Sequence, residues 1–452
     1  MTNAKRAAKI PYRCAACQHQ VPKWLGRCPD CGEWGSIEEV LYAAPLTAFS
    51  GAAAAPLTEV DAHIAHSRPT GITELDRVLG GGLVPGAVIL LAGEPGVGKS
   101  TLLLEVVHKW AVSAPHNVAL YVTGEETAGQ VRRRADRTNS VHERVYLAAD
   151  NDLTNVLAQA EVLKPSLLVV DSIQTVTGAD VEGVPGGVNQ VRSTTLALTG
   201  FAKRTGCTVL LVGHVTKEGA IAGPRTLEHL VDVVLNFEGD RYTALRMVRA
   251  VKNRFGSTEE VGCFEMSEKG ITGISDPSGL FIAHRGGVIA DELVSGTAIT
   301  ATLEGNRAML AEIQALAANP NGPVPRRTVS GLDYNRAAMV LAVLEQRCGI
   351  KVGAKEIYAA TVGGIKITEP AADLAVAMAI SSAVTGTPVP TDLVAIGEVG
   401  LTGELRPVVH IEKRLTAAVR LGYKQALVAR MPEEIPSGIR VIEAKTLRDA
   451  LR

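Results

Sequence analysis

Gly93-Glu94-Pro95-Gly96-Val97-Gly98-Lys99-Ser100-Thr101 fits the pattern G-x-x-x-x-G-K-[ST], and its flanks decide what that pattern means. Ala87–Ala92 before it is an unbroken apolar run with strand character. Thr101–Trp110 after it sets Leu102, Leu103, Val106 and Val107 at helical spacing. Strand, glycine-rich turn and helix in that order make a phosphate cradle. The glycines let backbone N–H groups close on the phosphates, and the helix N-terminus adds the positive end of its dipole. The spacing predicts that Gly93 through Thr101 hold ATP, with Lys99 on the β- and γ-phosphates and the Ser100 hydroxyl on Mg²⁺.

Downstream, Ala119–Thr123 (ALYVT) reads as a second buried strand, ending in Gly124-Glu125-Glu126. Open α/β sheets place their chemistry at the C-terminal ends of parallel strands. Glu125 or Glu126 is therefore expected to orient the attacking water, and the sequence does not choose between them. The plain alternative is that both are charges at the start of a helix over Thr127–Asp136. Ser166–Val170 (SLLVV) followed by Asp171-Ser172 is the Walker-B pattern, which assigns Asp171 to Mg²⁺, directly or through water. Thr208–Val212 ends in Gly213-His214; His214 is expected to sense the γ-phosphate or relay to a loop, or else to be an ordinary core histidine.

Two glycine-rich stretches stand out. Thr177–Asn189 has little apolar content, and Thr216–Thr226 carries Lys217 and Arg225. Both follow strand ends, on the face where a ring ATPase threads its ligand, so Lys217 and Arg225 are candidates for DNA contact. Val231–Phe237 and Tyr242–Val251 read as a hairpin turning at Gly239-Asp240. It leads into Lys252-Asn253-Arg254-Phe255-Gly256, where Lys252 and Arg254 suit an arginine finger on a neighbour's γ-phosphate, a nucleic-acid contact, or a solvated turn.

Upstream, Leu75, Val78 and Leu79 give a short helix ended by Gly80-Gly81-Gly82. Tyr42–His66 is Ala-rich and aperiodic, a linker. Before it, Cys14-x-x-Cys17 and Cys28-x-x-Cys31 let four thiolates converge on one Zn²⁺. That segment is too short for an apolar core, so the metal is expected to supply its folding energy. Cys207, Cys263 and Cys348 are isolated and read as small packing residues.

The bulk composition sets limits. A chain of 452 residues with 46% hydrophobic and 21% charged residues is an ordinary globular protein of about three domains. A net charge of −1 leaves any nucleic-acid contact to local patches. No apolar run is long enough for a bilayer and the first residues lack the apolar core of a signal peptide, so no membrane partner is expected. Seven cysteines, four of them clustered, argue against a disulfide framework and for a cytoplasmic location.

Taken in order, CxxC…CxxC, TGITELDRVLGGG, GEPGVGKST, VTGEE, VVDSIQT, GHVTKEG, LEHLVD and KNRFG resemble the bacterial RadA (Sms) family of DNA-repair proteins over nearly the whole chain. The resemblance implies a RecA-fold ring ATPase, a homo-hexamer that binds single-stranded and branched DNA and drives branch migration with the RecA recombinase. It places Lys99 and Ser100 on nucleotide, and Lys252 and Arg254 on the motif that couples ATP to DNA. From about Gly287 the chain resembles the proteolytic domain of Lon. There Glu369-Pro370-Ala371-Ala372-Asp373 falls on G-P-S-A-G and Glu412-Lys413-Arg414 on K-E-K. Ala371 has no nucleophilic atom and Arg414 does not deprotonate, so both halves of the Ser–Lys dyad are missing and no peptidase activity is expected. Arg326, Arg327, Arg336, Lys351, Lys355 and Lys366 are either contacts to duplex phosphates or a merely solvated face.

The expected fold class is α/β: a zinc-ribbon-like module over 1–40, a linker over 41–67, a RecA-like P-loop ATPase core over 68–285 and a Lon-protease-like domain over 286–452. A rival reading is a RecA-fold signalling ATPase acting on protein partners, because GITELD…GGG and GEE occur there too. The four cysteines, KNRFG and the Lon-like tail favour a DNA-dependent ATPase.

Overall fold

A computed structural model describes residues 12–14, 17, 19–21, 25–35, 37–39, 56–59, 66–178, 184–214, 224–239, 244–282, 294–320, 322 and 324–452. The chain forms two units, Met1–Ala62 and His63–Arg452. In the first, the short strands Tyr12–Cys14, Gln20–Val21 and Ile37–Glu39 pair antiparallel, with Tyr12–Cys14 central. Among its described residues the apolar core is Val21 with Cys14 and Cys28, with Cys17 and Leu25 packed against them.

The second unit opens with α1 (Thr73–Leu79), closed by Gly80 in the left-handed conformation at φ 80°. The P-loop strand β1 (Val88–Gly93) is buried at every position. After it come α2 (Lys99–Ser113), β2 (Ala119–Thr123), α3 (Ala128–Arg137), β3 (Val145–Ala149), α4 (Leu153–Leu163), β4 (Leu167–Asp171), α5 (Val188–Thr205) and β5 (Thr208–His214). The strands β6 (Val233–Gly239), β7 (Leu245–Asn253), β8 (Val261–Ser267) and β9 (Gly270–Gly273) complete a nine-stranded sheet in the order β9-β8-β7-β6-β1-β5-β4-β2-β3. The six strands from β3 to β6 are parallel; β7 to β9 extend them as an antiparallel meander. Parallel strands covered on both faces read as continuous apolar runs, which is why they were visible in the sequence. One face packs on α1 and α2, the other on α4 and α5.

The remaining chain builds a seven-stranded sheet. Its elements are β10 (Thr297–Glu304), β11 (Arg307–Ala318), β12 (Arg327–Ser330), α6 (Tyr334–Cys348), β13 (Glu356–Thr361), α7 (Asp373–Thr385), β14 (Leu393–Ile396), α8 (Ile411–Arg420), β15 (Gln425–Val428) and β16 (Arg440–Glu443), and the strand order is β12-β13-β11-β10-β14-β15-β16. Helix α7 is buried from Asp373 through Ser382. One apolar core runs from Leu245, Val261 and Cys263 of the first sheet into α6 and α7. Among the described residues three ion pairs cross the same boundary, Arg307–Glu74, Arg249–Glu304 and Arg420–Asp276. Among the described residues no helix is long and apolar enough to cross a membrane.

Of the stretches singled out in the sequence, Lys217 and the rest of 215–223, residues 179–183 of the first glycine-rich stretch, and the expected turn at Asp240 lie outside the described residues. The expected hairpin strands are β6 and β7.

Candidate active site and metal centre

The P-loop joins β1 to α2. Gly98, the residue before the helix, sits at φ 110°, where an L side chain is strained, and an added Cβ there would run into the Met266 methyl. Lys99 opens α2 and is only 4% exposed. Its Nζ donates to the carbonyls of Gly93 at 2.8 Å and Glu94 at 2.9 Å, so the ammonium lies inside the loop. Burial pushes its pKa down, and the carboxylates of Asp171 and Glu125 work against that shift. Ser100 and Thr101 follow in the first turn of the helix.

Asp171 ends β4, in register with Thr123 at the end of β2. The phenol of Tyr121 donates to Asp171 Oδ2 at 2.6 Å, and burial together with the neighbouring Asp171 charge holds that phenol well above its ordinary pKa. The Asp171–Ser172 peptide is cis.

The structure separates the two glutamates that the sequence left together. Ser172 Oγ donates to Glu125 Oε1 at 2.6 Å, and His214 Nε2 lies 3.3 Å from the same oxygen. Glu126 turns the other way into an ion pair with Arg134 of α3. The divergence is local: the Thr123 hydroxyl accepts the Glu126 N–H at 3.0 Å, and Thr127 caps α3 in a capping box with Gln130. Lys99, Glu125, Asp171 and His214 thus gather where β1, β2, β4 and β5 end. Ser172 and Tyr121 belong to the same cluster and were missed, because a serine after a Walker-B aspartate and a tyrosine inside a strand carry no pattern of their own.

Lys252 and Arg254 are elsewhere. Strand β7 runs antiparallel to β6, so Asn253 pairs with Val233, which pairs with Ile89 near the start of β1, roughly 13 Å of strand from the P-loop. A bulge between Ala250 and Lys252 re-aims the lysine, whose Nζ donates to the carbonyls of Glu228 at 2.6 Å and Val231 at 2.8 Å. Arg254 donates to Asp232 Oδ1 at 3.0 Å. Asp232 also accepts Lys203 at 2.8 Å and the Val88 N–H at 3.0 Å, tying the turn to the first residue of the P-loop strand. Burial opposes the Asp232 charge, yet these donors hold its carboxyl below the usual range. The turn closes on Gly80: an added Cβ there would sit 3.3 Å from Gly256 Cα, and Asn253 donates to the Val78 carbonyl at 3.2 Å. The sequence motifs GGG, LEHLVD and KNRFG are therefore one assembly.

In the N-terminal unit, Cys14, Cys17, Cys28 and Cys31 place their sulfurs within 4.8 Å of one another, with Cys14–Cys31 at 3.7 Å and Cys17–Cys28 at 3.6 Å. A tetrahedral Zn²⁺ with Zn–S bonds of about 2.3 Å requires sulfurs about 3.8 Å apart, so the donor set fits that ion. Cys207 and Cys263 stay inert: burial pushes their thiols up to about 12 and about 11.

In the C-terminal sheet, Ala371 presents only a buried methyl group. Arg414 is fully buried and bidentate to Glu369, at 2.7 Å from each carboxylate oxygen, and it also donates to the Ala301 carbonyl at 2.5 Å. The place that would carry a Ser–Lys dyad is a methyl group beside a closed ion pair. Three of the proposed phosphate contacts already have partners: Lys355 donates to Asn319 Oδ1 at 2.8 Å, and two arginines are held more closely. Arg336 pairs with Asp373 and Glu398, and Arg327 donates to the carbonyls of Lys355 and Val352. Both are withdrawn as free cations. Arg225 lies in the short helix Pro224–Leu227.

Three family descriptions match parts of the chain: an AAA domain over residues 54–220, a rubredoxin metal binding domain over 12–39, and the ChlI subunit of Mg-chelatase over 340–432. The DNA repair protein RadA of Mycolicibacterium smegmatis is 52% identical over 454 residues, covering 98% of this chain and 96% of that protein. RadA of Mycobacterium tuberculosis is 53% identical over 456 residues (98% and 93%), and RadA of Pseudomonas aeruginosa 44% over 453 (98% of each). Among solved structures, a KaiC-like protein of Pyrococcus horikoshii aligns with 46% of this chain and 99% of its own, at 23% identity and a TM-score of 0.39.

Proposed function

This chain belongs to the RadA family of DNA-repair proteins, and from that premise we propose that it is a DNA-dependent ATP hydrolase of homologous recombination. It works as a ring of six copies in the cytoplasm, moves on single-stranded DNA, and extends branched intermediates together with RecA. One observation carries this reading. Lys99, Glu125 and Asp171 converge at one end of the sheet, while Lys252 and Arg254 stand at the other, out of reach of their own P-loop. A nucleotide completed by a neighbour's cations is what a ring motor requires.

The backbone N–H groups of the P-loop and Lys99 hold the phosphates of ATP. The Ser100 hydroxyl and Asp171 would hold Mg²⁺, which would supply positive charge against the phosphates of the nucleotide. Glu125 orients the attacking water, and Ser172 and His214 orient Glu125. His214 is the last described residue before the stretch holding Lys217, and Lys217 and Arg225 are the cations for DNA phosphate in this reading. Lys252 and Arg254 of one copy complete the site of the next and pass its nucleotide state to DNA. The zinc module folds on its metal and serves as a recognition arm.

The test is ATP turnover by the purified protein with and without single-stranded DNA, across a salt series. Strong stimulation that fades as salt rises supports the reading, because phosphate contacts release counterions. Absence of stimulation by any DNA overturns it in favour of an ATPase that acts on protein partners.

A further inference from the structure

We propose that Tyr121 is a positioning residue for the metal: its hydroxyl takes up Oδ2 of Asp171 and leaves Oδ1 as the oxygen free to serve Mg²⁺. The inference rests on the reading of Asp171 as the metal carboxylate.

Tyr121 lies in the middle of β2, in register with Val169 of β4, and is 1% exposed. Asp171 follows Val169 by two residues, so both point to one face of the sheet, the face packed on α2. From there the phenol reaches along the strand to Asp171 at 2.6 Å. The ring is clamped in the apolar layer with Leu102, Leu103 and Val131, so the hydroxyl has little freedom. A phenylalanine would fill the same space, and a buried hydroxyl is costly unless bonded. What the tyrosine adds to this core is the bond to Asp171.

The carboxylate gains a definite orientation. Asp171 ends its strand on a short side chain, and its two oxygens are equivalent until one is bonded. The O–H of Tyr121 donates and Oδ2 accepts, which fixes the rotation of the carboxylate before any ligand arrives. Partners of this kind orient a metal-binding carboxylate, and losing one typically costs about 10–100-fold in metal affinity or activity. Glu126 enters through the same cluster: its ion pair with Arg134 lies close enough for both charges to act on the phenol.

The experiment titrates Mg²⁺ into the full-length protein with a fluorescent ATP analogue bound, starting from EDTA, and compares wild type, Tyr121→Phe, Asp171→Asn and Val169→Ala. Tyr121→Phe is expected to bind the analogue in EDTA as wild type does. It should need about tenfold more Mg²⁺, or beyond, for half-maximal tightening. Manganese resonance in the same complex should show weaker Mn²⁺ binding. Asp171→Asn is expected to lose the metal-dependent step altogether. Val169→Ala loosens the same strand pair without touching the hydroxyl, so it should lower the melting temperature and leave the Mg²⁺ midpoint in place. A Tyr121→Phe curve that overlays wild type while Asp171→Asn loses the step would overturn the proposal alone. A midpoint moved as far by Val169→Ala would assign the effect to packing and overturn it too. A wild-type curve from Asp171→Asn would remove the underlying reading, and the proposal with it.

Discussion

Glu125 and Glu126 are neighbours with different work, and only side-chain partners tell them apart. Glu125 shares one oxygen between Ser172 and His214, close to the charge of Lys99; Glu126 is held by Arg134. Glu125→Gln is therefore expected to lower ATP turnover by about a hundredfold or more while keeping nucleotide affinity. Glu126→Gln should stay within a few-fold of wild type. Equal losses in steady-state turnover from both would contradict this assignment. Asp232 yields a pH prediction. Its carboxyl is depressed in the fold, against burial, by Lys203, the Val88 N–H and Arg254. Such a group adds stability that is complete above its unfolded value, here 3.8, and lost as the pH falls from there through the depressed native value. Asp232→Asn should melt below wild type at neutral pH, with the gap closing as the pH is brought down through that window. A gap that does not change with pH would show that the charge is not what ties the turn to β1.

Elements differed in how far they could be read from sequence. Strands β1, β2, β4 and β5 are continuous apolar runs, and each was legible to within a residue or two because burial on both faces leaves no room for polar residues. Helix α7 was legible from Glu369-Pro370, since proline suits the first turn. The KNRFG turn was legible as a motif and illegible as a place. Its position depends on an antiparallel reversal and a bulge at Val251, and its anchor is Asp232, an unremarkable acid after a leucine-rich stretch. The buried pair Arg414–Glu369 was half legible: the loss of the dyad was visible, and its replacement by an ion pair was not. That pair predicts that Glu369→Ala costs about 3–5 kcal/mol in urea unfolding, because Arg414 is left buried without a counter-charge. Ala371→Ser should leave the protein unable to cleave peptides, since Arg414 offers no base. The zinc module is an element of its own. Cys28→Ser or a chelator should unfold the first unit and leave the melting of His63–Arg452 unchanged; a wild type that carries no zinc as purified would refute the assignment.

For the whole molecule, the separation of the two ends of the sheet has one consequence above the rest. The P-loop end holds Lys99, Glu125 and Asp171; at the opposite end Lys252 is held by the Glu228 and Val231 carbonyls, and Arg254, paired with Asp232, keeps more than half of its side chain exposed. A head-to-tail ring brings unlike ends together around a closed circle. In the proposed ring, hydrolysis would belong to pairs of chains. The measurement that tests this most directly is DNA-stimulated ATP turnover by Lys99→Ala protein, by Arg254→Ala protein, and by the two mixed and reassembled in equal amounts. Each variant alone should be inactive. The mixture should recover activity on the order of a quarter of wild type, because one interface in four then joins an intact P-loop to an intact finger. A mixture as inactive as its components, with both variants folded and assembled, would contradict a site shared between chains.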